Sequence, residues 1–225
     1  MPATETQSPI YVFDAYGTLF DVHSAAAQQK DAIGPQWERM SQTWRTKHLE
    51  YTWIHAQTGQ HCPFWRLTEL SLDYAIALVG GVPPGVRQTL LDSYRTMSAF
   101  PEAAEVLTTL KAQGARLGIL SNGDPDMLAD AVTAAKFDGM FEAVLSVQAA
   151  GVFKPAMRVY QLSTDRFACK PSEITFQSSN RWDIAGAQVF GYATVWVNRI
   201  GAPDEYPDMP AGRTVHDLRP LMARA

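Results

Sequence analysis

Tyr11-Val12-Phe13-Asp14-Ala15-Tyr16-Gly17-Thr18-Leu19-Phe20 puts a single carboxylate at the end of an apolar, β-rich run and follows it at once with a turn. A strand such as Ile10 to Phe13 suits burial in a parallel sheet, and open α/β sheets bind ligands beyond the carboxyl ends of their strands. Asp14 is therefore a candidate nucleophile. An Asp ahead of a Gly is also ordinary turn chemistry, so the remainder of the chain decides between the two readings.

Working outward, the strand signal stops after Phe20 and a helical pattern replaces it. Pro35 suits a helix start, and Trp37, Met40, Trp44, Tyr51 and Ile54 recur at three-, four- and seven-residue steps, which gives one apolar face. Phe64 to Val79 and Val86 to Met97 supply two more helical patterns, separated by Gly80-Gly81-Val82-Pro83-Pro84-Gly85. From Phe100-Pro101 the chain alternates. Helix Glu102 to Gln113 leads to strand Arg116 to Leu120, helix Pro125 to Ala135 to strand Ala143 to Val147, and helix Pro155 to Phe167 to strand Glu173 to Gln177. Helix Trp182 to Phe190 precedes a last strand, Tyr192 to Val197, and a short terminal helix.

Alternating strands and helices imply right-handed crossovers and an α/β, doubly wound parallel-sheet (Rossmann-like) core. The predicted organisation is a core made of residues 1–20 and 99–225 with an inserted all-helical cap over 21–98. The chain then passes between the two near Asp21 and near Ala99, which are candidate hinges. Gly201 to Gly212, rich in Pro, Gly and Asp, reads as an irregular surface stretch.

Three further polar groups follow apolar runs in order: Leu120-Ser121-Asn122-Gly123, then Phe153-Lys154-Pro155, then Phe176-Gln177-Ser178-Ser179-Asn180-Arg181-Trp182-Asp183. With the first segment, this ordered set resembles the haloacid dehalogenase superfamily. Tyr16, two residues after Asp14, and Trp44-Arg45-Thr46-Lys47-His48-Leu49-Glu50-Tyr51 in the insert resemble its L-2-haloacid dehalogenase family. The phosphatases of the superfamily carry a second Asp where Tyr16 stands, to protonate the departing alkoxide. A halide leaves without a proton.

The resemblance implies catalytic roles for Asp14, Thr18, Arg45, Ser121, Lys154, Tyr160, Ser178, Asn180 and Asp183, and a substrate pocket formed by Ala15, Tyr16, Arg45, Leu49, Phe64, Ser121, Asn122 and Trp182. It implies hydrolysis of short L-2-haloalkanoic acids to D-2-hydroxyalkanoic acids through an aspartyl ester, with inversion at C2, no cofactor and no metal. Magnesium prefers oxygen ligands in octahedral array, and the fourth motif offers only Asp183 beside Asp14. Lys154 would hold Asp14 ionised, or else cap the start of a surface helix. Ser121 and Asn122 could bind substrate carboxylate and leaving halide, or form a polar turn. Arg45, bordered by Leu49 and Trp53 at helical spacing, needs an anion. The resemblance makes that anion the halide or the substrate carboxylate; a buried ion pair with an acidic residue of the cap is the alternative. Tyr160 and the apolar pocket residues could equally be core.

Composition narrows the partners. The chain has 225 residues, 46% of them hydrophobic, and a net charge of only -4. It lacks the positive field that nucleic acid or an anionic membrane would require, and no apolar run is long enough to span a bilayer. The expected partners are a small 2-haloacid substrate and halide, with a homodimer implied by the resemblance. Cys62 and Cys169 show no CxxC or metal spacing, and the polar amino-terminus lacks a signal core; both suit a cytoplasmic enzyme. The five histidines show no metal-ligand spacing. A magnesium-dependent phosphatase and a non-catalytic acid-binding protein are the rival readings of the same fold.

Overall fold

The computed structural model describes residues 8–223. Its sheet has β1 (Ile10–Phe13), β2 (Arg116–Ser121), β3 (Ala143–Ser146), β4 (Ile174–Ser178), β5 (Ala193–Val197) and β6 (Arg213–Val215), all parallel, in the order β3-β2-β1-β4-β5-β6. Burial explains the composition of each strand. Most positions of β1, β2 and β4 are buried, because helices cover both faces, whereas the edge strands β3 and β6 alternate or lie open. The connections run from β1 outward to β3 and then return to β4 on the other side, so the topological switch lies beside β1. Phe13 pairs with Ile119 and with Gln177, and the Asp14 amide donates to Gln177 O at 2.9 Å. The residues after β1, β2 and β4 therefore emerge at one edge.

Two expectations for the C-terminal part are corrected. Tyr192 to Val197 does not hold the last strand, since Arg213-Thr214-Val215 adds β6 beside β5. The terminal helix is a single 3-10 turn, Arg219–Met222. The irregular stretch before β6 is held by Arg181, whose Nε reaches Asp204 Oδ1 at 2.5 Å and whose Nη2 donates to Tyr206 O at 2.7 Å and Met209 O at 2.6 Å.

Five helices separate β1 from the remaining core: α1 (Ser24–Gln28), α2 (Lys30–Ile33), α3 (Trp37–Thr58), α4 (Phe64–Leu78) and α5 (Val86–Arg95). Along α3 the buried stripe is Met40, Trp44, His48 and Thr52, at four-residue steps. Ile54, assigned to the apolar face from sequence, is 56% exposed. The true stripe passes through two polar residues, which a hydrophobic pattern does not register. Opposite it on α4, Phe64, Leu67 and Leu72 are buried, each stabilising the packing by about 2 kcal/mol. The core helices are α6 (Ala103–Ala112), α7 (Pro125–Ala134), α8 (Met157–Phe167) and α9 (Arg181–Phe190).

The two strands of chain that join insert and core run side by side. Asp21 N donates to Ser98 O at 2.8 Å, Phe100 N donates to Leu19 O at 2.9 Å, and Phe20 bridges Ala99 in antiparallel fashion. The insert is also fastened elsewhere. Asp124, just before α7, accepts Phe64 N at 3.0 Å and Trp65 N at 2.8 Å, so a core carboxylate satisfies the free amides at the start of α4. Arg95 at the end of α5 pairs with Asp126 and Asp130 of α7 at 3.0 and 2.7 Å.

Candidate active site

Asp14 is 5% exposed and is surrounded by donors. Its Oδ1 receives Lys154 Nζ at 3.1 Å, while Oδ2 receives Thr18 Oγ1 at 3.0 Å, Asn180 Nδ2 at 2.8 Å and a longer bond from Ser178 Oγ at 3.4 Å. The turn after β1 makes this possible. Gly17 adopts φ +94°, a conformation L side chains rarely take. It turns the chain so that Thr18 folds back over Asp14, where its hydroxyl also accepts the Ser179 amide at 2.9 Å.

Lys154 has no solvent exposure and is not a surface residue. Its ammonium bridges Asp14 and Asp183 Oδ2, the latter at 2.8 Å. Burial opposes its charge, but the two carboxylates outweigh burial and its pKa is raised. Asp183, fully buried near the start of α9, has its pKa raised to about 6, chiefly by desolvation; Lys154 counteracts this and the charge of Asp14 adds to it. Tyr160 Oη donates to Asp183 Oδ1 at 2.8 Å. This approach depends on Gly186, where a Cβ would lie 2.6 Å from the Tyr160 hydroxyl.

Arg45 reaches from α3 to the core, donating through Nη2 to Tyr16 O at 3.1 Å and Asn180 Oδ1 at 2.9 Å. None of its bonds goes to a carboxylate among the described residues, so the ion pair considered from sequence is not formed. Asn180 thus spans the two halves of the site: its amide nitrogen binds Asp14 and its oxygen takes Arg45. Arg45 and Asn180 share with Gly17, Leu49, Trp53 and Trp182 a cleft of about 800 Å³.

The remaining candidates divide. Ala15 and Tyr16 are buried, and the Tyr16 ring stacks on Phe64 and Tyr94 with centroids 5.7 and 5.8 Å away. Phe64 is fully buried and does not line the cleft. Trp182 meets Trp53 edge-on at 5.6 Å. Ser121 and Asn122 emerge from β2 beside Asp14 but bond elsewhere: Ser121 Oγ accepts Gly123 N at 3.1 Å and Asn122 Oδ1 accepts Lys154 N at 3.0 Å. Both bonds use acceptor capacity, leaving the hydroxyl proton and the Asn122 NH2 as donors for a bound acid.

Sequence reasoning missed Asp124, Tyr94 and the place of His48. Tyr94 belongs to an apolar helical pattern and carried no signal beyond core packing. His48 was noted only as a neighbour of Arg45; its burial follows from the i+4 step after Trp44.

Among the described residues, no group of three or more His, Cys, Asp and Glu is arranged to hold a metal ion. Asp14 and Asp183 instead share the Lys154 ammonium, and Ser178, Ser179 and Asn180 occupy the loop between them. The donor set does not fit magnesium.

A sheet-edge Asp, a buried Lys bridging to a second Asp, and a helical insert closing over both define a hydrolase class, and the family model "haloacid dehalogenase-like hydrolase" matches residues 9–191. (S)-2-haloacid dehalogenase 4A from Burkholderia cepacia is 41% identical over 217 residues, covering 95% of this chain and 94% of the relative. A solved dehalogenase structure superposes with TM-score 0.93 at 40% identity and 96% coverage of both chains. L-2-haloacid dehalogenase from Xanthobacter autotrophicus, solved with chloropropionic acid covalently bound, gives TM-score 0.85 at 33% identity, covering 96% of this chain and 97% of that one. The chain belongs to the haloacid dehalogenase superfamily, within its L-2-haloacid dehalogenase family.

Proposed function

We propose that the protein hydrolyses short L-2-haloalkanoic acids to D-2-hydroxyalkanoic acids. The observation that carries this reading is Asn180, which joins the Asp14 carboxylate to an Arg45 guanidinium that no carboxylate among the described residues neutralises. The substrate supplies an anion in the cleft beside Arg45, one side chain, Asn180, away from the nucleophile. Asp14 attacks C2 from the side opposite the halogen, the C–O bond forms as the C–halogen bond breaks, and the halide departs toward Arg45. Tyr16, whose burial raises its pKa well above the usual phenol range, supplies no acid, and a halide needs none. Ser121 and Asn122 bind the substrate carboxylate, while Leu49 and Trp182 line the pocket and the buried Ala15, Tyr16 and Phe64 support it from behind.

Water then attacks the carboxyl carbon of the aspartyl ester. Asp183, oriented by Lys154 and Tyr160, takes its proton; Thr18, Ser178 and Asn180 hold the ester oxygen that becomes negative. Attack at C2 inverts configuration once and the second step leaves C2 untouched. Reaction of excess enzyme for one turnover in oxygen-18 water should give an unlabelled hydroxyl in the product and a heavy oxygen in the peptide containing Asp14. A fully labelled product hydroxyl with light Asp14 would mean direct attack by water.

The proton acceptor sets the pH profile. Asp183 is raised to about 6 in the free enzyme, partly by the charge of Asp14; the ester removes that charge, so the deacylation rate should fall tenfold per pH unit below a midpoint lower than the free-enzyme value. Stability runs the other way. A carboxyl whose folded pKa exceeds its unfolded value stabilises when protonated, so this contribution is present at low pH and lost as pH rises through about 6. Single-turnover rates and melting curves across this range test both signs. A deacylation rate flat from about pH 4 to about pH 8 would remove Asp183 from the role.

The cap is taken as residues 21–98 and the catalytic core as 1–20 and 99–225. A homodimer is supported by Leu70, Tyr74 and Leu78, an exposed apolar row at four-residue steps along α4. A cytoplasmic location is supported by the unpaired thiols of Cys62 and Cys169.

A further inference from the structure

His48 is 1% exposed inside the cap, with its ring stacked on Phe64 at a centroid distance of 4.0 Å. Its two nitrogens have different neighbours: Nε2 lies 3.2 Å from Thr68 Oγ1, and Nδ1 lies 3.4 Å from Tyr94 Oη. Thr68 Oγ1 is also 3.0 Å from Phe64 O, a carbonyl that only accepts, so the single threonine proton is spent there. The threonine oxygen must then accept from Nε2–H. Burial, followed by the nearby charge of Arg45, pushes the His48 pKa down to about 3, so the ring is neutral and carries one proton. Nδ1 is therefore an acceptor, and the hydrogen between it and Tyr94 belongs to the phenol.

The direction of that hydrogen matters because Tyr94 shares a gap with Arg45, whose charge favours the phenolate form against a burial that lifts the pKa to about 12. Trp44, Arg45, His48 and Tyr94 border a gap with no room for water. Stacking of Tyr94 on Tyr16 at 5.8 Å and a tilted contact with Trp44 at 4.9 Å fix the phenol ring. Arg45 is thus gripped on one side by Asn180 and Tyr16 and flanked on the other by Tyr94.

We infer that His48 and Tyr94 are positioning residues for Arg45: the imidazole draws the phenol proton inward, and the phenol oxygen is left to accept from the guanidinium. The inference rests on the dehalogenase reading only for what Arg45 then does. Without the His48 acceptor the phenol proton turns toward Arg45, and donor meets donor.

His48→Leu removes the acceptor, whereas His48→Gln keeps one acceptor and one donor in a similar space. With L-2-chloropropionate, His48→Leu should lose about tenfold in kcat/KM, largely in kcat, the worth of one charge-assisted hydrogen bond. His48→Gln should stay within about threefold of the parent. Tyr94→Phe, which preserves packing, should lose a similar factor, and adding His48→Leu to it should cost little more, because both act on one bond. Nitrogen-15 NMR of the Arg45 guanidinium reads its restraint without turnover: slow rotation in the parent and in His48→Gln, fast rotation in His48→Leu and Tyr94→Phe. If Tyr94→Phe leaves both kcat/KM and guanidinium rotation unchanged, or if the two losses multiply, the inference is wrong. An inactive parent that still shows the expected NMR pattern would overturn the dehalogenase reading and leave the positioning intact.

Discussion

Asp14→Asn should leave a folded protein whose turnover of L-2-chloropropionate is lower by about 10⁴-fold or more, the scale seen when a covalent nucleophile is removed. An amide is a poor nucleophile, and it also fits this position badly. The carboxylate accepts from Lys154 on one oxygen and from Thr18, Asn180 and Ser178 on the other. An Asn oxygen can satisfy only one of these sides, so its NH2 must face donors, at a stability cost of about 1–3 kcal/mol. The orientation that keeps three partners turns the NH2 toward the Lys154 ammonium. Lys154 then belongs to Asp183 alone, and Asp183 loses the neighbouring negative charge that helped raise its pKa. Halide release, measured with deamidation excluded by intact mass, checks the first effect; substantial activity in the pure variant would remove Asp14 from the nucleophile role.

Lys154→Met carries the second large effect, on stability as well as turnover. The ammonium lies between two buried carboxylates at 3.1 and 2.8 Å. Its loss leaves like charges facing each other without solvent, and breaking a buried pair in this way costs about 3–5 kcal/mol. The deficit should depend on pH in a definite direction. Asp183 ionises at higher pH still once the cation that lowers its pKa is gone, so the variant is least impaired in acid and loses ground as pH rises. Denaturant unfolding at about pH 5 and about pH 8, on either side of the Asp183 titration, measures the difference. An equal deficit at both would mean that Lys154 contributes through packing rather than charge.

The legibility of these residues in the sequence follows from how each is positioned. Asp14, Ser121 and Ser178 follow or end strands, and a parallel sheet brings strand ends to one edge whatever the side chains do. Their convergence could be read from the alternation of strand and helix. Lys154 is held by a loop, yet the same edge receives it. What depends on packing between separate elements was not readable. Nothing in Asn122-Gly123-Asp124-Pro125 announces that Asp124 receives the amides of Phe64 and Trp65, some sixty residues earlier. Likewise Tyr94 looks like any aromatic on an amphipathic helix. The third strand residue of Arg213-Thr214-Val215 was too little apolar signal to mark β6 after a Pro- and Gly-rich stretch. Ile54 was misjudged because the real buried line on α3 runs through His48 and Thr52, whose polarity conceals it.

The two chain crossings between insert and core, paired at Phe20 and Ala99 and closed by bonds from Asp21 N to Ser98 O and from Phe100 N to Leu19 O, have an evolutionary consequence. A segment whose beginning and end lie one hydrogen bond apart can be lengthened, shortened or exchanged without moving the ends of the sheet to which it is attached. On the proposed assignment, halide binding through Arg45 travels with that cassette, while Asp14, Lys154 and Asp183 stay with the core. Under that assignment leaving-group choice and covalent attack sit on separately exchangeable segments, and a change of insert should redirect the same nucleophile to a different bond.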